Sequence, residues 1–322
     1  MARRVLTRLF HTVLVVWTAA SVAFLLLHWA PGDPISAMAD ASRVPPAQRA
    51  VWRAQQGFDQ PLAVQYGRWL GQVARADFGF STSQQRPTRD VLASRLPNTL
   101  LLMGLALLTS IAAGAALGAW QGARVGSVGD RVLSSLMLVL YAVPEFWVAL
   151  LLLLLFTYYL PILPATGMVD AVFHDQMGPW EQLQDRAAHL VLPWLSLTLM
   201  GTAVFARVQR AAMRDQWREP FVRTAFAKGL TDTTVRRQVW RTALLPVVTM
   251  AGLFLPAVLT GAVFVERIFG WPGIGSALLQ AIALRDYALV SACVVLGSAM
   301  TTIGSLFADL AGAWLDPRMR TT

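Results

Sequence analysis

Long apolar runs, separated by short stretches of arginine, glycine and proline, organise this sequence. Six stand out, at residues 9–30, 98–120, 132–160, 190–206, 242–265 and 287–315. About 20 helical residues, rising ~1.5 Å each, cross the ~30 Å hydrocarbon layer of a bilayer, so every run predicts a transmembrane helix. The fourth run is the shortest, and it gains reach from the arginines that continue it, whose long side chains snorkel to the interface. Residues 31–97 form the sizeable stretch outside the membrane. Turn signals at Pro31-Gly-Asp-Pro34 and Pro45-Pro46 are followed by a helical stripe of Leu62, Tyr66, Trp69, Leu70 and Val73. The stripe predicts a small helical cap that serves a soluble partner or packs on the outer ends of the spans. No internal repeat, low-complexity tract or β pattern is legible.

Six crossings place both termini on one side, and the basic residues say which. With the N-terminus inside, the cytoplasmic segments hold sixteen Arg and Lys against three (Arg186, Arg267, Arg285) in the short outer loops, which sets the orientation. Arg3, Arg4 and Arg8 before the first run give it the look of a secretory signal. Its length and the Pro-Gly-Asp-Pro turn after it instead predict an uncleaved signal anchor. The expected organisation is therefore an all-α polytopic membrane protein. Residues 1–30 are the anchor, 31–97 the outer cap, and 98–322 a five-helix core with a cytoplasmic loop at 207–241.

Composition agrees with lipid as the solvent: 56% of residues are hydrophobic and 14% charged, with a mean hydropathy of +0.51. The net charge of +9 then faces anionic headgroups and the cytoplasm, and nucleic acid is excluded as a partner. Cys293 is the single cysteine, so no internal disulfide forms. Only Glu145 and Asp309 are charged within the runs. Each must face protein or water, because a carboxylate at mid-bilayer costs about 2.5–3.5 kcal/mol. Glu145 follows Pro144, which frees a backbone carbonyl one turn earlier. The pair either lines a pathway, where Glu145 meets an ammonium group or a cation, or Glu145 partners an arginine on a neighbouring helix. Asp309 reads as a structural residue near the cytoplasmic interface. The turn Gly270-Trp-Pro-Gly-Ile-Gly275 suits an outer gate or a plain hairpin, and Trp271, like Trp29, Trp120 and Trp314, reads as a headgroup-level anchor.

The cytoplasmic loop is the most informative stretch. Arg207, Arg210, Arg214 and Arg218 share one face of a helix leaving the fourth run and should meet headgroups or a cytosolic partner. Pro220 breaks that helix, residues 221–230 form a short one, Gly229 supplies a left-handed stop, and Thr231 or Asp232 caps the next helix. Small residues at Thr224, Ala225 and Ala227 permit close approach. This element either plugs into a groove on a second protein or lies passively on the membrane surface.

Arg223-Thr-Ala-Phe-Ala-Lys-Gly-Leu230, followed by Ala243-Leu-Leu-Pro-Val-Val-Thr249, resembles the cytoplasmic EAA loop of binding-protein-dependent ABC permeases. It is most similar to the dipeptide/oligopeptide/nickel branch and to the first permease subunit of dipeptide systems. Supporting pieces occur in order: Pro31-Gly-Asp-Pro34, Asp59-Gln-Pro-Leu62, Asp77-Phe-Gly79, Arg95-Leu-Pro97, Pro144, Phe269-Gly-Trp-Pro-Gly-Ile-Gly275, Arg285-Asp-Tyr287 and Asp316-Pro-Arg318. The chain departs from the general pattern in having Arg223 at the Glu position, Pro246 far from Gly229, and Glu266-Arg267 where many relatives have Glu-Thr. The resemblance implies a type I ABC importer permease fold. It also implies a coupling role for Thr224, Ala225, Ala227, Lys228, Gly229 and Leu230 at an ATPase subunit. The outer gate or plain hairpin, read from the residues themselves, takes in Glu266, Trp271, Pro272, Gly273 and Gly275. The implied partners are a second related permease subunit, ATPase subunits and an extracytoplasmic substrate-binding protein. The implied cargo is a di- or oligopeptide, or alternatively nickel or a glutathione-type molecule.

Independently of that resemblance, Lys228, the only lysine, lies outside any G-x-x-x-x-G-K-[ST] frame, so this chain does not hydrolyse ATP by that means; the resemblance implies that ATP and Mg belong to the partner ATPase subunits, with no cofactor on this chain. An intramembrane enzyme would need a nucleophile with a base, or metal ligands. His11, His28, His174 and His189 are scattered along the chain and no H-E-x-x-H occurs. A channel without an ATPase would leave the Gly229 loop unexplained.

Overall fold

A computed structural model of the chain describes residues 2–29, 59–260 and 262–315; for residues 2–9, 27, 28, 259, 260 and 307–315 it describes the backbone. The turns at Pro31–Pro34 and Pro45-Pro46, the Asp316-Pro-Arg318 terminus and the side chains of Arg3, Arg4, Arg8, His28, Asp309 and Trp314 lie outside the described residues.

The elements run α1 (Ala2–Trp29), α2 (Leu62–Ala74), β1 (Phe80–Ser81), β2 (Arg86–Pro87), α3 (Thr88–Gly122), α4 (Val128–Ala142) and α5 (Glu145–Leu153). After a π-helical turn at Leu154–Tyr159 come α6 (Pro179–Gln216), α7 (Pro220–Ala227), α8 (Asp232–Ala243), α9 (Leu245–Thr260), α10 (Val263–Ile268), α11 (Ile274–Ala283) and α12 (Tyr287–Leu315). Among the described residues, four helical segments are long and apolar enough to cross a membrane: Thr88–Gly122, Pro179–Gln216, Asp232–Val258 and Tyr287–Leu306.

The helices and the apolar runs differ in places. The third run is two helices, α4 and α5, bent by 103°. Val143 is extended and Pro144 starts α5, because the residue before a proline is pushed out of the helical region. The fourth run belongs to the 38-residue α6: the helix expected to continue from its C-terminal end is found as far as Gln216, and a further extension reaches back to Pro179. The fifth run is found as a span, Asp232–Val258, made of α8 and α9; its last residues enter α10, and the connection after it carries the additional helix α11. A two-residue antiparallel pairing, Phe80 opposite Pro87 and Ser81 opposite Arg86, also occurs where no strand was expected.

The chain divides into two compact units, Met1–Asn98 with Pro272–Thr302 and Thr99–Trp271 with Ile303–Thr322. In the first unit the aromatic stripe of α2 packs on α1. Phe24 stacks against Tyr66 and Trp69 with ring centroids 5.3 and 5.2 Å apart, and the Ser21 and Tyr66 hydroxyls lie 2.7 Å apart. Of the two uses considered for the stripe, these contacts are packing. The β1–β2 turn is held to the start of α12: Asp286 accepts from the Ser83 hydroxyl at 2.7 Å and the Ser83 N–H at 3.0 Å. Val91, Ile274, Ala281 and Leu289 form the apolar core around it.

In the second unit, α3 and α6 are in backbone-level contact. Gly114, Gly118 and Gly122 recur every four residues and line one face of α3. A Cβ on Gly114 would lie 2.5 Å from the Phe205 Cβ, one on Gly118 would lie 2.6 Å from the Gln209 Cβ, and one on Gly122 would overlap Met213. Small residues serve this purpose in lipid, where van der Waals contact replaces the hydrophobic drive between helices. Hydroxyls add to the contact, with Thr109 and Thr198 2.9 Å apart and Ser110 donating to the Thr198 carbonyl at 3.2 Å.

Candidate functional site: the cytoplasmic loop and the cavity above it

Pro220 opens α7, where its missing N–H costs nothing. Val222 and Ala225, one turn apart, turn inward against Met213 of α6 and Val235, Val239 and Ala243 of α8. Gly229 ends the helix at φ +77°. Its N–H donates to the Phe226 carbonyl at 2.9 Å and the Leu230 N–H to the Ala225 carbonyl at 3.2 Å, the paired bonds of a Schellman stop. Thr231 starts α8, and its hydroxyl meets Thr233 and Thr234 and makes no cap. Of the six predicted coupling residues, Thr224, Ala227, Lys228, Gly229 and Leu230 are exposed on one continuous surface. Ala225 is buried beneath them and holds α7 to its own chain. Sequence reasoning passed over Phe226, an apolar ring 46% exposed among them. Its place between the inward positions Val222 and Ala225 and the Gly229 stop was the available signal.

The arginine face divides. Arg210 turns inward and grips Asp130 of α4 with both prongs, at 2.6 and 2.8 Å. Asp130, 1% exposed, also accepts the Gly126 N–H at 2.9 Å. The expectation that all four arginines meet headgroups or a partner is thus wrong for Arg210, which a buried carboxylate captures. Arg207 lies over the Tyr141 ring, 4.7 Å from its centroid, and Arg214 pairs weakly with its neighbour Asp215 at 3.4 Å.

Pro144 and Glu145 sit at the 103° bend. Glu145 is half-buried and, among the described residues, makes no ion pair, so no arginine partner accounts for it. On α10, Glu266 is fully buried and accepts from Thr99 at 2.8 Å. Trp271 is 1% exposed. It is therefore a core residue, and the expectation of a headgroup anchor fails there because the positive φ of Gly270 (60°) folds the turn inward. Pro272 accepts from the Asn98 amide at 3.0 Å, and Gly273 and Gly275 begin α11, with Gly275 buried.

The loop between the π-helical turn and α6 is pinned by residues that look unrelated in sequence. His174 Nδ1 donates to Asp185 at 2.6 Å and His189 Nδ1 lies 3.0 Å from the other oxygen. Nearby, the backbone N–H groups of Phe173 and Val172 hold the Asp170 carboxyl below the usual carboxylate range. Two of the four histidines are thus joined, as a structural clasp. Among the described residues no three His, Cys, Asp or Glu side chains converge where a metal ion would sit.

Comparison with known proteins identifies the family. Residues 110–321 match the family model for the binding-protein-dependent transport system inner membrane component, and residues 1–103 match its N-terminal companion. The oligopeptide transport system permease protein AppB of Bacillus subtilis is 31% identical over 99% of both chains. The oligopeptide permease OppB of Mycobacterium tuberculosis is 33% identical over the full length of both. The dipeptide permease DppB of Escherichia coli is 33% identical over 93% of each.

Proposed function

This chain belongs to the family of binding-protein-dependent transport system inner membrane components, and from that premise we propose that it is a permease subunit of an ATP-driven importer of di- and oligopeptides. It is a multi-pass inner-membrane protein. The observation that carries the cargo reading is the end-to-end match to permeases named for oligopeptides and dipeptides.

In this reading the chain crosses the membrane six times with both termini inside. The 28-residue α1 is long enough for one crossing, the bent α4–α5 pair makes another, and the four long helices complete the set. Thr224, Phe226, Ala227, Lys228 and Leu230 form the knob that enters an ATPase subunit, with Ala225 and Gly229 fixing its shape. ATP and Mg reside on that partner. A second permease subunit completes the path, and an external binding protein delivers the cargo at the outer turn of Glu266, Trp271, Pro272, Gly273 and Gly275. Closing of the ATPase pair moves α7, and the packing of α7 on α6 and α8 carries that motion into the spans.

The test is Gly229→Arg. Any Cβ at φ +77° costs about 1–2 kcal/mol, and the long side chain alters the knob. The variant should insert normally yet lose at least about tenfold in ATPase subunit recovered on co-purification. Undiminished recovery would sink the coupling role.

A further inference from the structure

A cavity of about 640 Å³ opens between α4, α6 and α9, walled by Met137, Leu138, Tyr141, Val204, Arg207 and Met250. Gln121, Ser134 and Arg210 line it too. Its volume lies in the range of small-molecule sites. The walls are apolar and unbranched or flexible at Met137 and Met250, a surface that accommodates side chains of varied shape without selecting among them. Set into them is a cation. Among the described residues Arg207 makes no ion pair, whereas Arg210, one turn away, is fully engaged by Asp130. The Tyr141 ring beneath the Arg207 guanidinium steadies its plane and leaves its edge N–H donors free, the geometry that grips a carboxylate with two parallel bonds. Along α4 the cavity runs from Ser134 to Tyr141, which lies two residues before the break at Val143.

A peptide varies in its side chains and keeps one terminal carboxylate. Resting on the peptide-importer reading above, we propose that this cavity is a cargo station on the cytoplasmic half of the path, where Arg207 receives the terminal carboxylate of the peptide in transit.

The test uses the complete importer, with both permease subunits, ATPases and binding protein, in vesicles made with and without anionic lipid, and radiolabelled dialanine as the probe. Arg207→Gln should lower uptake about tenfold or more, the loss of one charge-assisted pair. Arg207→Lys should restore part of it, the effect should be equal in both kinds of vesicle, and ATPase subunits should still co-purify. Unchanged uptake would overturn the proposal. So would a defect confined to vesicles with anionic lipid, which would make the cavity a lipid site, or loss of the ATPase partners, which would make Arg207 structural. Failure of the wild-type importer to take up dialanine would overturn the peptide reading and this proposal with it.

Discussion

Asp130 concentrates more bonding than any other buried acid of the loop region. It takes both prongs of Arg210 and the Gly126 N–H, while its own N–H is capped by Ser127 at 3.2 Å. The sequence placed Arg210 on the correct helical face, but its partner lies 80 positions away, and spacing carries no information about a partner at that separation. Asp130→Asn keeps the shape and removes the charge, leaving Arg210, with 29% of its side chain exposed, without a counter-ion. We predict a loss of about 2–3 kcal/mol, reduced from the fully buried case by that exposure, read as a lower thermal midpoint of the detergent-solubilised protein. An unchanged midpoint would mean that solvent and lipid headgroups replace the pair at no cost.

Helix packing shows where pattern reading stopped short. Gly114, Gly118 and Gly122 were visible as a four-residue spacing, the signature of close helix approach, yet apolar runs full of alanine hide it. Within α3 the neighbouring Gly104 has nothing within 4 Å of a built Cβ, which provides a matched control. Gly118→Leu should cost about 3 kcal/mol or more through overpacking and yield aggregated protein on size-exclusion chromatography, with Gly104→Leu monodisperse. Equal behaviour of the two variants would remove the glycine face from the account. Similarly, Pro144 announced a distortion, and its size depended on Val143 leaving the helix altogether.

The six-crossing arrangement makes a direct claim about sidedness. Val172 is exposed in the loop between the bent pair and α6, and Arg237 is exposed on α8. With the buried Cys293 replaced by Ala, Val172→Cys should react with a membrane-impermeant maleimide on intact spheroplasts. Arg237→Cys should react only after permeabilisation. The reverse pattern would invert the topology and place α7 on the wrong side for an ATPase.

Residue order alone was enough to establish a lipid-embedded helical chain and the Gly229 stop of the loop, because these follow from local quantities: run length and the backbone freedom of one residue. It also placed the last span at 287–315, where α12 is found. The capture of Arg210, the burial of Trp271, the joining of His174 and His189 through Asp185 and the cavity under Arg207 emerged only on folding. Each depends on side chains from distant segments meeting at a few ångströms, and such meetings are fixed by helix packing.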